Sequence, residues 1–240
     1  MSSKIIFELC AETIAACISA CDGGADRIEL CSALSEDGLT PSHGFIRAAV
    51  ALSNLPVHVL IRPRSGNFVY SNEEFKLMRD DILHARELGA AGVVIGLLNS
   101  DATVDVARTH ELVELASPLE VTFHRAFDST LVLEAALEDV ISTGSHRLLT
   151  SGGQPDVLQG ATSLRRLNEI AAGRIAIAAG GGLRLENARD VVLKAGVQQV
   201  HGSLRRKILS DRTSVLSSGA AFYIVDPEDI RSLKQSLSDI

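Results

Sequence analysis

The chain has 240 residues, of which 46% are hydrophobic and only 4% aromatic, with no Trp, so it can bury one large core built from Ala, Leu, Ile and Val. A net charge of −7, with Arg205-Arg206-Lys207 as the longest basic cluster, argues against a nucleic-acid partner. No run approaches the roughly 18 apolar residues of a membrane span, and Glu8 and Glu12 interrupt any secretion-signal reading, so a cytoplasmic protein without a membrane partner is expected.

Short aliphatic runs alternate with longer amphipathic stretches. Residues 4–9 form the first run and lead into a helical pattern over 11–21, ended by Gly23-Gly24. The second run, 26–31, precedes a helix over 40–52, with Pro41 suited to its first turn. The run at 57–62 precedes a helix over 72–88, closed by Gly89. The run at 92–96 precedes a helix over 101–115, with Asp101 as its expected N-cap. Runs at 119–124, 146–151 and 175–180 precede helices over 131–142, 164–172 and 187–195, and 198–201 is the eighth run. Such short aliphatic runs read as buried parallel strands. Eight strand–helix units with no linker between them predict a single-domain α/β protein over 1–240, a closed (β/α)₈ barrel. A doubly wound open sheet is the alternative, but no Gly-x-Gly-x-x-Gly opens the first helix. Residues 217–240 hold Phe222-Tyr223-Ile224-Val225 and then a polar helical pattern, and read as a tail packing over one end of the barrel.

Barrel chemistry sits at the carboxyl ends of the strands, where the following loops build the site. Those ends carry Glu8, Cys10, Glu29, Cys31, Arg62, Arg64, His124, Arg125, Asp128, Thr150, Ser151, His201 and Ser203. Charged groups ending aliphatic strands are costly unless paired or solvated. Glu8 and Glu29 would repel in a low-dielectric mouth, and Arg62 on the next strand could hold one or both in a bidentate fork. Glu8, Glu29, Arg62, His124, Arg125 and Asp128 therefore read either as a catalytic set or as an ion network capping the core. His58 lies earlier on its strand and reads as structural.

Gly180-Gly181-Gly182 after strand seven and Gly202-Ser203 after strand eight read as anion-binding loops. Their amides, backed by the helices expected to follow, could face a phosphate. A tight turn needing positive φ is the plainer alternative.

The four cysteines, Cys10, Cys17, Cys21 and Cys31, crowd into the first 31 residues and read as free thiols in a reducing compartment. Glu8-Leu9-Cys10 and Glu29-Leu30-Cys31 repeat one tripeptide on successive strands, and residues two apart share a strand face. Neighbouring strands lie about 4.8 Å apart, near the span of two thiolates sharing one soft ion such as Cu(I). Simple burial of free thiols is the alternative. Cys17 and Cys21, four apart on the first helix, read as core.

Taken together, Phe7-Glu8-Leu9-Cys10, the stretch from Gly23 to Cys31, Ile61-Arg62-Pro63-Arg64, the stretch from Val121 to Asp128, Leu149-Thr150-Ser151-Gly152, Gly180-Gly181-Gly182 and His201 resemble the CutC family. The resemblance runs from strand one to strand eight. It implies a TIM barrel with a role in copper homeostasis, with Cu(I) bound through cysteine and no organic cofactor. It makes Cys31 the leading ligand and Cys10 the second, in a homodimer or higher homo-oligomer. Family members often carry a further Cys between two aromatic residues after strand three. Here Val69 stands between Phe68 and Tyr70, so a site using that cysteine cannot form. The residues keep a second expectation open: a barrel enzyme whose partner is a small anionic or phosphorylated substrate.

Overall fold

The computed structural model describes residues 4–209 and 221–240. In chain order the regular elements are β1 (Ile6–Ala11), α1 (Ile14–Gly23), β2 (Arg27–Leu30), α2 (His43–Leu52), β3 (Val57–Leu60), α3 (Asn72–Glu87), β4 (Gly92–Ile95), α4 (Val106–Ala116), β5 (Glu120–Phe123) and α5 (Leu133–Ser142). There follow β6 (Arg147–Thr150), α6 (Ala161–Ala171), β7 (Ala176–Gly180), α7 (Ala188–Ala195), β8 (Gln199–Gly202), β9 (Arg205–Leu209), β10 (Ala221–Val225) and α8 (Pro227–Leu237). Strands β1 to β8 pair in parallel with their neighbours, and β8 returns to β1, so the sheet closes into the expected (β/α)₈ barrel.

Strand alternation sorts the side chains into two environments. Phe7, Leu9, Ile28, Leu30, Val57, Val59, Val93, Ile95, Val121 and Phe123 face outward and merge with the apolar helix faces into one main core. Most inward positions are polar or small: Glu8 and Cys10 on β1, Arg27 and Glu29 on β2, His58 on β3, Gly92 on β4, Thr122 on β5 and Arg147 on β6, with Leu60, Val94 and Leu149 the larger apolar ones toward the carboxyl end. A small apolar cluster of Cys10, Cys31, Leu60 and Val94 lies apart from the main core.

Several boundaries differ from the sequence reading, each for a local reason. β1 runs on to Ala11 because Cys10 and Ala11 pair with Glu29 and Leu30. Helix α1 starts after Thr13, whose hydroxyl accepts from the Ala16 amide. Pro41 precedes the N-cap Ser42 and so lies outside α2. Asp105, not Asp101, caps α4; Asp101 instead accepts from the Thr103 amide and hydroxyl in the preceding turn. Cys17 is buried as expected, but Cys21 is only half-buried and faces the Ser53 hydroxyl.

The largest departure follows strand eight. Gly202-Ser203 does not open a helix: the chain continues into β9, which pairs antiparallel with β10. Of the segment read as a tail, 217–220 lie outside the described residues. The rest supplies β10 and α8, and α8 buries Ile230, Leu233 and Leu237 in the main core.

Candidate functional site

The barrel interior is built around a buried carboxylate. Glu8 is fully buried, and Arg147 Nη1 donates to both of its oxygens at 2.9 and 2.8 Å. Arg27 Nε donates to Oε2 at 2.6 Å, and His201 Nδ1 lies 2.7 Å from Oε1. Burial alone would raise the Glu8 carboxyl, but Arg147, the His201 hydrogen bond and Arg27 outweigh it and hold the group well below the usual carboxylate range. The predicted Arg62 fork is therefore wrong. Arg62 reaches neither Glu8 nor Glu29; its guanidinium donates to the backbone carbonyls of Glu36, Gly38 and Gly66 at 2.7 to 2.9 Å. Glu36 and Gly38 belong to the loop after β2 and Gly66 to the loop after β3, so the two loops together occupy the guanidinium.

The partners that do hold Glu8, Arg27 and Arg147, were missed from the sequence. Both lie at the amino ends of their strands, outside the positions where chemistry was sought. Their signal was parity: Arg27 shares a face with Glu29, and Arg147 precedes an aliphatic pair at an inward position.

At the carboxyl end of the barrel a cavity of about 740 Å³ opens. Glu29, Arg62, His124, Arg125 and Asp128 line it, with Gly181, Gly182, Gly202 and Ser203. Cys10 and His201 form part of its wall, and Arg184 and Arg205 add two arginines not singled out from the sequence. Three predicted residues stand back from it. Glu8 lies deeper in the barrel, and Gly180 lies in β7 under Leu149 and His201. Cys31 is fully buried beside Gly38 and Leu60.

The two tripeptide cysteines meet. Cys10 Sγ lies 3.6 Å from Cys31 Sγ and 3.7 Å from Glu29 Oε1. Cys10, Glu29 and His201 each offer a ligand atom, all within 4.8 Å of one another. The hydrogen bond with Cys31 and then burial push the Cys10 thiol well up. Burial likewise raises the Glu29 carboxyl, whose Oε2 has no hydrogen-bond partner.

Across the mouth, His124 accepts the Ala126 amide at Nδ1, at 3.0 Å. Burial, then the Arg62 charge, lowers its pKa to about 3, so the ring is neutral at ordinary pH. With Nδ1 as acceptor, Nε2 carries the hydrogen, and it has no acceptor. Asp128 is committed: it accepts from Arg125 Nε at 2.8 Å, Ser151 Oγ at 2.9 Å and the Gly153 amide at 3.0 Å. That leaves it a positioning group for the loop after β6.

A family model described as the CutC family matches residues 5–206. A family protein CutC of Chromobacterium violaceum is 47% identical over 205 residues, 85% of this chain and 83% of that protein. One from Agrobacterium fabrum is 41% identical over 238 residues, 98% of this chain and 94% of that protein. Among solved structures, the CutC protein of Streptococcus agalactiae, to which a copper-homeostasis role is ascribed, superposes with a TM-score of 0.79 at 33% identity, covering 83% of this chain and 98% of that one. N-(5'-phosphoribosyl)anthranilate isomerase from Pyrococcus furiosus matches with a TM-score of 0.58 at 14% identity, covering 98% and 100% of the two chains, a likeness of fold alone.

Proposed function

The chain belongs to the CutC family, and on that premise we propose that it is a copper-homeostasis protein whose cargo, Cu(I), is held between Cys10 and Cys31. The observation that carries this reading is the 3.6 Å approach of the two sulfurs. Thiolate–metal bonds run to roughly 2.3 Å for zinc, so sulfurs this close can both touch one ion. Soft thiolates select Cu(I) over the hard cations that carboxylates prefer. Cys10 stands on the cavity wall and would receive the ion first, with Cys31 completing the pair from behind. Glu29 and His201 stand within ligand reach of Cys10 and would supply a third donor. The described residues contain no helix long and apolar enough to cross a membrane, so a membrane-spanning copper path is not part of this reading.

An anaerobic Cu(I) titration against a competing chelator tests the assignment. One Cu(I) per chain is expected for the native protein. Cys10→Ser and Cys31→Ser should each weaken binding on the order of 100-fold, as expected when a buried metal loses one of its two soft ligands. Equal affinity and stoichiometry in all three proteins would overturn it. The expected homo-oligomer is read from the same samples: light scattering should return at least twice the mass of one chain.

A further inference from the structure

We propose that the mouth of the barrel is also a binding site for a small phosphorylated carboxylic acid, with the phosphate on the amides of the β7 and β8 loops beside Arg125 and the carboxylate against Arg62 and His124. The proposal goes beyond copper and does not depend on it. A cavity of about 740 Å³ is far larger than an ion requires and falls in the ordinary range for small-molecule sites, roughly 300–1,000 Å³.

One wall offers donors and an unbalanced charge. Arg62 is only 3% exposed, and among the described residues its guanidinium meets backbone carbonyls but no carboxylate. Its Nε has no hydrogen-bond partner. The guanidinium also stacks over the Phe68 ring, 5.1 Å from its centroid, and a buried cation held by carbonyls and an aromatic face lacks the counter-charge that normally offsets its desolvation. His124, 7% exposed, presents an Nε2–H that likewise has no acceptor. These two unpartnered donors select a ligand end that accepts hydrogen bonds. The charge on Arg62 makes that end a carboxylate.

The opposite wall is a pair of loops. Gly181 and Gly182 have φ of 102° and 76°, and Leu204 has φ of 45°. Turns of this kind free their amides from strand pairing, and such amides can serve an anion. The amides of Gly181, Gly182, Ser203 and Leu204 make no hydrogen bond within the described chain. The cradle is made of loop amides alone, because α7 starts only at Ala188 and β8 leads into β9. Arg125 stands against it: a Cβ on Gly181 would come within 2.9 Å of Arg125 Cζ. That guanidinium spends Nε on Asp128 and Nη2 on Ser151, which leaves Nη1 beside Gly181. Four amides without partners and one guanidinium edge line the cavity and supply donors of the kind a phosphomonoester's terminal oxygens accept, and the Asp156 carboxylate beside Gly182 is itself paired with Arg184.

Calorimetric titration of the metal-free protein with inorganic phosphate, phosphoglycerate and glycerate tests the site, and working without copper keeps its outcome separate from that of the Cu(I) titration. Phosphoglycerate should saturate and bind at least about tenfold tighter than either fragment, as expected when charge-assisted hydrogen bonds form at both ends. Arg125→Gln should weaken phosphate and phosphoglycerate by about tenfold. Ser203→Asp, on a half-exposed loop position that tolerates a polar side chain, should abolish the binding of both. The proposal is overturned if none of the three saturates, if phosphoglycerate binds no better than phosphate, or if both variants bind like the native protein.

Discussion

Glu8 shows how one residue organises the barrel interior. It takes hydrogen bonds from Arg27 and Arg147, it pairs with His201, and none of the four side chains is freely solvated. Each charge would cost several kcal/mol to bury alone, and the mutual attraction offsets that cost only while all partners are present. The system is already incompletely satisfied, since Arg147 Nε and Nη2 have no partners. Glu8→Gln keeps the shape and removes the charge on which two guanidinium groups depend. It should lower the unfolding free energy by roughly 3–5 kcal/mol, the range for breaking a buried ion pair. Urea denaturation measures this, and a loss under about 1 kcal/mol, the level of an exposed pair, would count against the network as a structural element.

Among the elements, α8 is positioned by a glycine on α1. A Cβ at Gly23 would come within 2.5 Å of Ile230 Cβ and 2.9 Å of the Pro227 carbonyl. Ile230 is fully buried, so α8 rests directly on the α1 backbone. Local propensity and tertiary contact therefore disagree about Gly23→Ala. Inside a helix the change should stabilise by up to about 1 kcal/mol. The clash with a backbone carbonyl reverses the sign, because neither partner is the flexible end of a side chain. A lower melting temperature is expected, and an unchanged or raised one would show that α8 docks more loosely than the contact implies.

At the scale of the whole molecule, a barrel with polar groups inside should be sensitive to acid. Burial lowers the pKa of His58 and of His124 from 6.5 to about 3. Below about pH 6.5 the unfolded chain takes up protons that the folded chain refuses, so stability must fall as pH drops toward 3. Each imidazole contributes about 1.4 kcal/mol per pH unit once its unfolded form is fully protonated. Glu8, held below its unfolded value, adds a loss of the same sign as pH falls through the acid range. Glu29, raised by burial, acts in the opposite sense, and two imidazoles with Glu8 outweigh it. The urea midpoint should therefore decline steadily from pH 7 to pH 4.5, and His124→Gln should flatten part of that decline. A midpoint that stays constant over this range would refute the neutral-imidazole assignment.

The sequence by itself determined the number and order of the eight barrel strands, though not the β9–β10 pair that follows them, because short aliphatic runs and glycine stops are local signals. It also located the mouth: Glu29, Arg62, His124, Arg125, Asp128 and Gly181 all lie at strand ends and all line the cavity. Even the repeat of Glu-Leu-Cys anticipated a meeting of sulfurs, since strand parity is a local property. Only the tertiary structure decided who pairs with whom. Arg147 reaches Glu8 across 139 residues because the barrel closes, and Arg62 turns to the carbonyls of a neighbouring loop. Closure also set the depth of each group, leaving Cys10 on the wall, Cys31 behind it and Glu8 below the mouth. Depth and pairing depend on stagger between strands and on loop paths, and these arise from the packing of the whole barrel.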